Sequence, residues 1–199
     1  MENRKTGFEG WAVLAAIAAA LVAMTAILTW QASDLVGALR VTIRATARSS
    51  LVLFMLAFTA SANQRLFVSR PTDWLLRNRR QLGLGFALSH LIHLAAIVML
   101  ARTDPVLFDA LTTPASFIFG GAGYVAILAM AATSFDTTAR AVGPKHWARI
   151  HRIGGWFLWA MFLLNFAKRI PVSANYAIGA AIALIALGLR LAARRHNQT

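Results

Sequence analysis

The residues of this chain with chemistry to offer are histidines and arginines set in apolar sequence. His90 and His93 lie in one uncharged stretch, and His151 stands at the head of another. Imidazole exchanges protons near neutrality and is the usual axial ligand that bundled helices offer a haem iron. At spacing i to i+3, His90 and His93 share one helix face, while each alone also reads as a hydrogen-bonded packing residue. Arg44 and Arg48, one turn apart, bring two charges to the start of a short apolar run. Guanidinium groups there either pair with buried carboxylates such as haem propionates or snorkel to headgroups. Met161 is an alternative axial donor as well as an ordinary packing side chain. Trp156 and Trp159 suit either the flank of a macrocycle or a core. His146, beside Trp147, and His196, in the basic tail, read as solvated surface groups.

These side chains have to be positioned by membrane helices. The 199 residues are 58% hydrophobic and 14% charged, too apolar for an ordinary soluble domain. A bilayer core of about 30 Å needs roughly 20 apolar residues per helix. Six stretches lack Asp, Glu, Lys and Arg: Gly10 to Ser33, Ser49 to Gln64, Gln81 to Ala101, Ala110 to Phe135, Ile153 to Ala167 and Ile170 to Leu189. The second and fifth, of 16 and 15 residues, reach span length only by drawing in Arg44 and Arg48, or Arg149, His151 and Arg152. The expected fold is therefore all-α, an integral membrane bundle of six transmembrane helices near 10–30, 45–64, 81–101, 114–134, 147–167 and 172–191, forming a single domain over residues 1–199. All five prolines fall in connections or at helix starts, where the missing N–H does no harm. The first apolar run is too long for a signal-peptide core and reads as a retained span. Gly120, Gly121 and Gly123 read as helix-packing contacts. Asp136 and Arg140, spaced i to i+4, suit a local pair in a loop.

Lys and Arg outnumber Asp and Glu by 20 to 7, which in a soluble chain would suggest nucleic acid. With the N-terminus inside, 14 basic residues fall on the inner side: Arg4 and Lys5, the group including Arg77, Arg79 and Arg80, the group from Arg140 to Arg152, and Arg190, Arg194 and Arg195. Arg40, Arg44, Arg48, Arg102, Lys168 and Arg169 fall outside. The positive-inside rule then places both termini in the cytoplasm, and no nucleic-acid partner is required. Without cysteine, disulfides, Cys-ligated zinc and iron–sulfur clusters are excluded. No stretch is long enough for a flavin or nicotinamide domain.

Arg79-Arg80-Gln81-Leu82-Gly83-Leu84 followed by His93 resembles the third helix of the ferric-reductase-like transmembrane family. Ala132-Thr133-Ser134, a short basic loop and Trp147-Ala148-Arg149-Ile150-His151-Arg152 resemble that family's entrance to helix five. Within the family the chain looks most like the haem-binding membrane subunit of the bacterial methionine sulfoxide reductase system. The resemblance implies a b-type haem subunit, with one or two haems, in the bacterial inner (cytoplasmic) membrane. It would relay electrons from a quinol or a cytoplasmic flavin reductase to a periplasmic reductase or ferric iron. A flavin or quinone is compatible with this scheme but is not readable from the residues. It also implies that His93 and His151 are haem-ligand positions; His90, Met161, Arg44 and Arg48 are further candidate cofactor contacts by their own position and chemistry.

The family pattern places another His thirteen or fourteen residues after His151, where this chain has Leu164 and Asn165. At 1.5 Å per residue from the inner boundary, His93 lies about 20 Å deep, His90 about 15 Å, Met161 about 21 Å and His151 only about 6 Å. A haem between His93 and Met161, a haem between His90 and His151, and a haem-free six-helix scaffold or small-solute transporter all remain open. Against a coupled transporter, no acidic residue lies well inside a span and no proline breaks one.

Overall fold

A computed structural model describes residues 8–196; Arg4 and Lys5, counted above on the inner side, lie outside the described residues. Among the described residues the chain is all-α, with no strand. Its elements are α1 (Trp11–Gln31), α2 (Leu35–Leu66), α3 (Arg70–Arg77), α4 (Arg79–Thr103), α5 (Pro105–Leu111), α6 (Pro114–Ala132), α7 (Asp136–Val142), α8 (Pro144–Ala167) and α9 (Asn175–Arg195).

Five of these, α1, α2, α4, α6 and α9, are long and apolar enough to cross a membrane. At 24 residues α8 has the length, but Lys145, His146, Arg149, His151 and Arg152 crowd its first turns. The six expected spans thus correspond to five apolar helices and one with a polar head. The largest boundary difference is in α2, which begins at Leu35, ten residues before the expected 45. Asp34 caps it, its carboxylate accepting from the Gly37 N–H at 2.7 Å. A charge-free window stops at Arg48, yet arginine and alanine are good helix formers and the backbone continues through them. The short helices α3, α5 and α7 occupy connections the sequence left without structure. Proline opens α3, α5, α6 and α8, and Gly143, at φ 79°, turns the chain from α7 into α8.

The long helices alternate in direction, so one end of the bundle gathers the starts of α1, α4 and α8 with the ends of α2, α6 and α9. Contacts across that end fix it. The Gly10 N–H donates to Asn78 Oδ1 at 2.8 Å, Arg79 to the Ser61 hydroxyl at 3.2 Å, and Trp147 Nε1–H to the Thr133 carbonyl at 2.9 Å. Arg77 pairs with Glu9 at 2.9 Å. Asp136 pairs with Arg80 of α4 at 3.0 Å, a correction to the local pairing with Arg140 that the i to i+4 spacing suggested. The Arg80 guanidinium also lies over the Trp11 and Phe135 rings, which favours its reaching across to Asp136.

The core lies between α2, α4, α8 and α9. Phe54, Phe58, Phe86 and Phe162 meet ring to ring at 5.1–6.0 Å, and Ala180, Ala183 and Ala186 let α9 approach closely. By contrast α1 buries only Val13 and Leu21, and α6 only Gly123 and Ile127, leaving most of both helices facing outward. The packing expected at Gly120 and Gly121 is not seen among the described residues, where no neighbouring helix stands within 4 Å of where their side chains would begin. Gly123 faces Leu158, and closer approaches between helices are Gly85 against Ile17, Gly154 against Met130, Gly155 against Phe58 and Gly179 against Phe166. A methyl at Gly179 would overlap the buried Phe166 ring. Gly179→Ala should therefore destabilise the detergent-solubilised protein by about 1–3 kcal/mol. Gly121→Ala should leave thermal unfolding unchanged or slightly raised.

Candidate functional site

A polar seam joins α2 to α4, the most extensively packed pair of helices. Thr42, Thr46 and Ser50 recur one turn apart on the buried face of α2, and Ser89 and His93 answer them from α4. The Ser50 hydroxyl donates to Ser89 at 2.9 Å, Ser89 donates to the Thr46 carbonyl at 3.2 Å, and Ser49 lies 2.9 Å from Ser89. In hydrocarbon such groups have no water to turn to, so each must find its partner within the bundle.

The seam ends on His93. Its Nδ1 lies 3.0 Å from the Ile43 carbonyl and 3.0 Å from Thr46 Oγ1, while the Thr46 hydroxyl donates to the Thr42 carbonyl at 2.6 Å. A carbonyl only accepts, so this bond requires the proton on Nδ1. Neutral His93 then carries its free lone pair on Nε2. An imidazole tied through one nitrogen to a backbone carbonyl and basic at the other has the arrangement of a metal-ligating histidine.

His90 is enclosed differently. Its ring stacks on His93 at 5.1 Å and meets Phe86 at 5.4 Å, Tyr124 at 5.4 Å and Phe162 at 5.9 Å. Its buried Nδ1 and the nearby Tyr124 hydroxyl both lack a hydrogen-bond partner. Two such orphans, on neighbouring rings of α4 and α6, leave polar capacity for a water or another bound group.

His151 does not join this pair. It stacks on Trp147 at 4.4 Å, and its Nε2 lies 3.1 Å from Thr133 Oγ1 at the end of α6. Phe162, the α8 residue whose ring meets His90, follows His151 by eleven residues, or about 16 Å of helix. The Met161 carbonyl accepts from the Asn165 side-chain amide at 2.8 Å, and Leu164 points outward, 63% exposed. Of the two positions where another His was expected, only 165 is thus partly enclosed. Arg44 is half-buried and Arg48 exposed, both within one or two turns of the Ile43 and Thr46 groups that hold His93. Trp156 packs edge-on against Phe58, and Trp159 donates its Nε1–H to the Ala183 carbonyl at 2.9 Å, so both have core roles.

The family model for the ferric reductase like transmembrane component matches residues 45–162, more than half of the chain. The chain belongs to this family. Comparison with curated proteins and with solved structures returns no match. Membership makes the chain a component of membrane electron transfer, in a multi-pass setting consistent with its apolar helices. The matched segment contains His90, His93 and His151 and stops two residues short of Leu164.

Ferric-reductase-like domains usually bind haem, and the residues of this one fit that group on one side. His93, with its proton on Nδ1, would hold the group through Nε2. No cluster of three or more His, Cys, Asp or Glu able to hold a metal is present among the described residues. His90 and His93, stacked on one helix, cannot stand on opposite faces of one iron.

Sequence reasoning passed over Thr46, Ser50 and Ser89, although the i, i+4, i+8 recurrence of Thr42, Thr46 and Ser50 was a visible signal. It also treated Arg169 as topology alone, yet from the α8–α9 connection that charge reaches His93. Ser89→Ala removes an oxygen that serves Ser49, Ser50 and the Thr46 carbonyl. It should cost roughly 1–2 kcal/mol in unfolding from detergent, whereas Ser116→Ala, at an exposed site, should cost much less.

Proposed function

We propose that this ferric-reductase-like chain is a b-type haem subunit of a six-span membrane bundle, with α8 as the sixth span and the whole chain as one domain. The observation that carries the reading is the Nδ1–H bond from His93 to the Ile43 carbonyl, which would leave Nε2 to hold the haem iron. Arg44, Arg48 and Arg169 supply positive charge near His93, suited to offset propionate carboxylates that would otherwise be costly at that depth. When bound, the haem supplies one-electron storage through its ferric and ferrous states. The seam from Ser50 to Thr46 holds the imidazole in place and the apolar core excludes water around it. His151 and His90 are second-rank ligand positions. Met161, one turn before Asn165 on α8, would be the thioether donor in place of the His that Leu164 and Asn165 do not supply.

The distribution of basic residues supports both termini lying in the cytoplasm, in the inner membrane of a bacterium. With no flavin or nicotinamide domain in the 199 residues, a quinol or a cytoplasmic flavin reductase supplies electrons. A periplasmic reductase, such as one acting on methionine sulfoxide, or ferric iron accepts them. The competing reading, a haem-free scaffold or small-solute transporter on the same frame, draws on Leu164 and Asn165.

An absorption spectrum of protein purified from haem-replete cells separates the two. A Soret band that sharpens and shifts with dithionite is expected, and His93→Ala should lower haem affinity by about tenfold or more, while His151→Ala retains the band. No Soret band in the unsubstituted protein defeats the haem reading. A normal spectrum in His93→Ala moves the ligand to His90 or His151. Reporter fusions at the C-terminus should be active only in the form that reports the cytoplasm; a periplasmic signal would overturn the placing of both termini in the cytoplasm.

A further inference from the structure

At the end of the bundle that gathers both described chain ends, a cleft of about 240 Å³ opens between α2, α4 and α9. Arg65, Arg79, Arg190 and Arg194 line it together with Ser61, and no Asp or Glu is among its lining residues. The charges of Arg79, Arg194 and Arg65 all reach Arg190. Four guanidinium groups brought together from three helices repel one another, and orientation in the membrane needs none of this convergence. Positive charge satisfies topology equally well when it is spread through the loops.

The cleft is also built. Arg190 donates through Nη1 to the Phe58 carbonyl at 2.6 Å, and its guanidinium lies 4.1 Å from the Phe58 ring centroid and 5.1 Å from that of Trp156. Arg194 lies over the same Trp156 ring at 5.4 Å, and Arg79 is held by the Ser61 hydroxyl. Three of the four cations are therefore fixed in orientation by aromatic faces or hydrogen bonds before any anion arrives, which lowers the ordering cost of binding one.

We propose that this cleft is a binding site for a phosphate group. Guanidinium forks match phosphate oxygens in pairs, and a tetrahedral phosphate presents its oxygens in more than one plane, so guanidinium groups converging from several helices can share it where a planar carboxylate serves a single fork. The volume lies below the range of sites that enclose drug-sized molecules, so it takes a headgroup or a small free anion. The phosphate belongs either to an anionic phospholipid or to a soluble phosphate ester. The site lies apart from His93, fourteen residues of α4 away at Arg79.

The test uses the full chain in neutral detergent, unsubstituted and as Arg65→Gln/Arg194→Gln, which removes two exposed charges and leaves the Arg190 platform intact. Arg152→Gln, at the same end but outside the cleft, is the control. Calorimetric titration with inorganic pyrophosphate reads the soluble source. Retention of dioleoyl phosphatidylglycerol over phosphatidylcholine in native mass spectrometry reads the lipid source. Binding in at least one arm should be weakened about tenfold or more by the double substitution, as expected for lost charge-assisted bonds, and unchanged by Arg152→Gln. Absence of binding in both arms overturns the proposal, as does binding that the double variant retains in full or that Arg152→Gln weakens equally. Unfolding temperatures of all three proteins identify any loss that comes from misfolding. If the double variant proves misfolded, Arg65→Gln alone is read against the same two probes and the same criteria.

Discussion

A polar group inside hydrocarbon has to find its partner within the protein, and the α2–α4 seam is where this chain meets that constraint most fully. Ser50, Ser89, Thr46 and His93 pass hydrogen bonds from one helix to the other, ending on the Ile43 carbonyl. Small side chains make the approach close, and close approach makes the hydrogen bonds short enough to count. The histidine's orientation and the position of its proton follow from this seam. So does the placement of Arg44 and Arg48, which ride on the same helix.

The rest of the bundle is arranged around that pair. The phenylalanines of α2, α4 and α8 fill the interior beside the seam, and the alanine face of α9 closes it. Helices α1 and α6 contribute few buried residues and serve as an outer layer. The redox assignment and the phosphate cleft thus draw on the same core helices at different heights, His93 toward one end and the four arginines at the other.

Helix existence was largely legible in the sequence, because a charge-free stretch near twenty residues has few other uses. Helix starts were not. Arg40, Arg44 and Arg48 marked a boundary of polarity, whereas the backbone boundary lay at Asp34, whose cap acts over three residues and is indifferent to depth. The ion pair of Asp136 was misread because its partner, Arg80, is near in space and 56 residues away in sequence. Likewise the inner arginines looked like topology alone until α2, α4 and α9 brought four of them around one opening. The histidines were visible as candidates, but only the packing separates His93, with a free lone pair, from His90, walled in by rings.

Helix α2 is 32 residues long, about 48 Å, yet only its last half is free of charge, a run of 16 residues or about 24 Å. Its neighbour α4 carries a charge-free run of 21 residues. The two runs differ by five residues, about 8 Å, a mismatch met by arginine side chains reaching to the headgroups, by helix tilt or by local thinning of the bilayer. The difference falls on the helix whose Ile43 carbonyl holds His93 of α4, so its arginines, and not its apolar length, carry that helix to the headgroups.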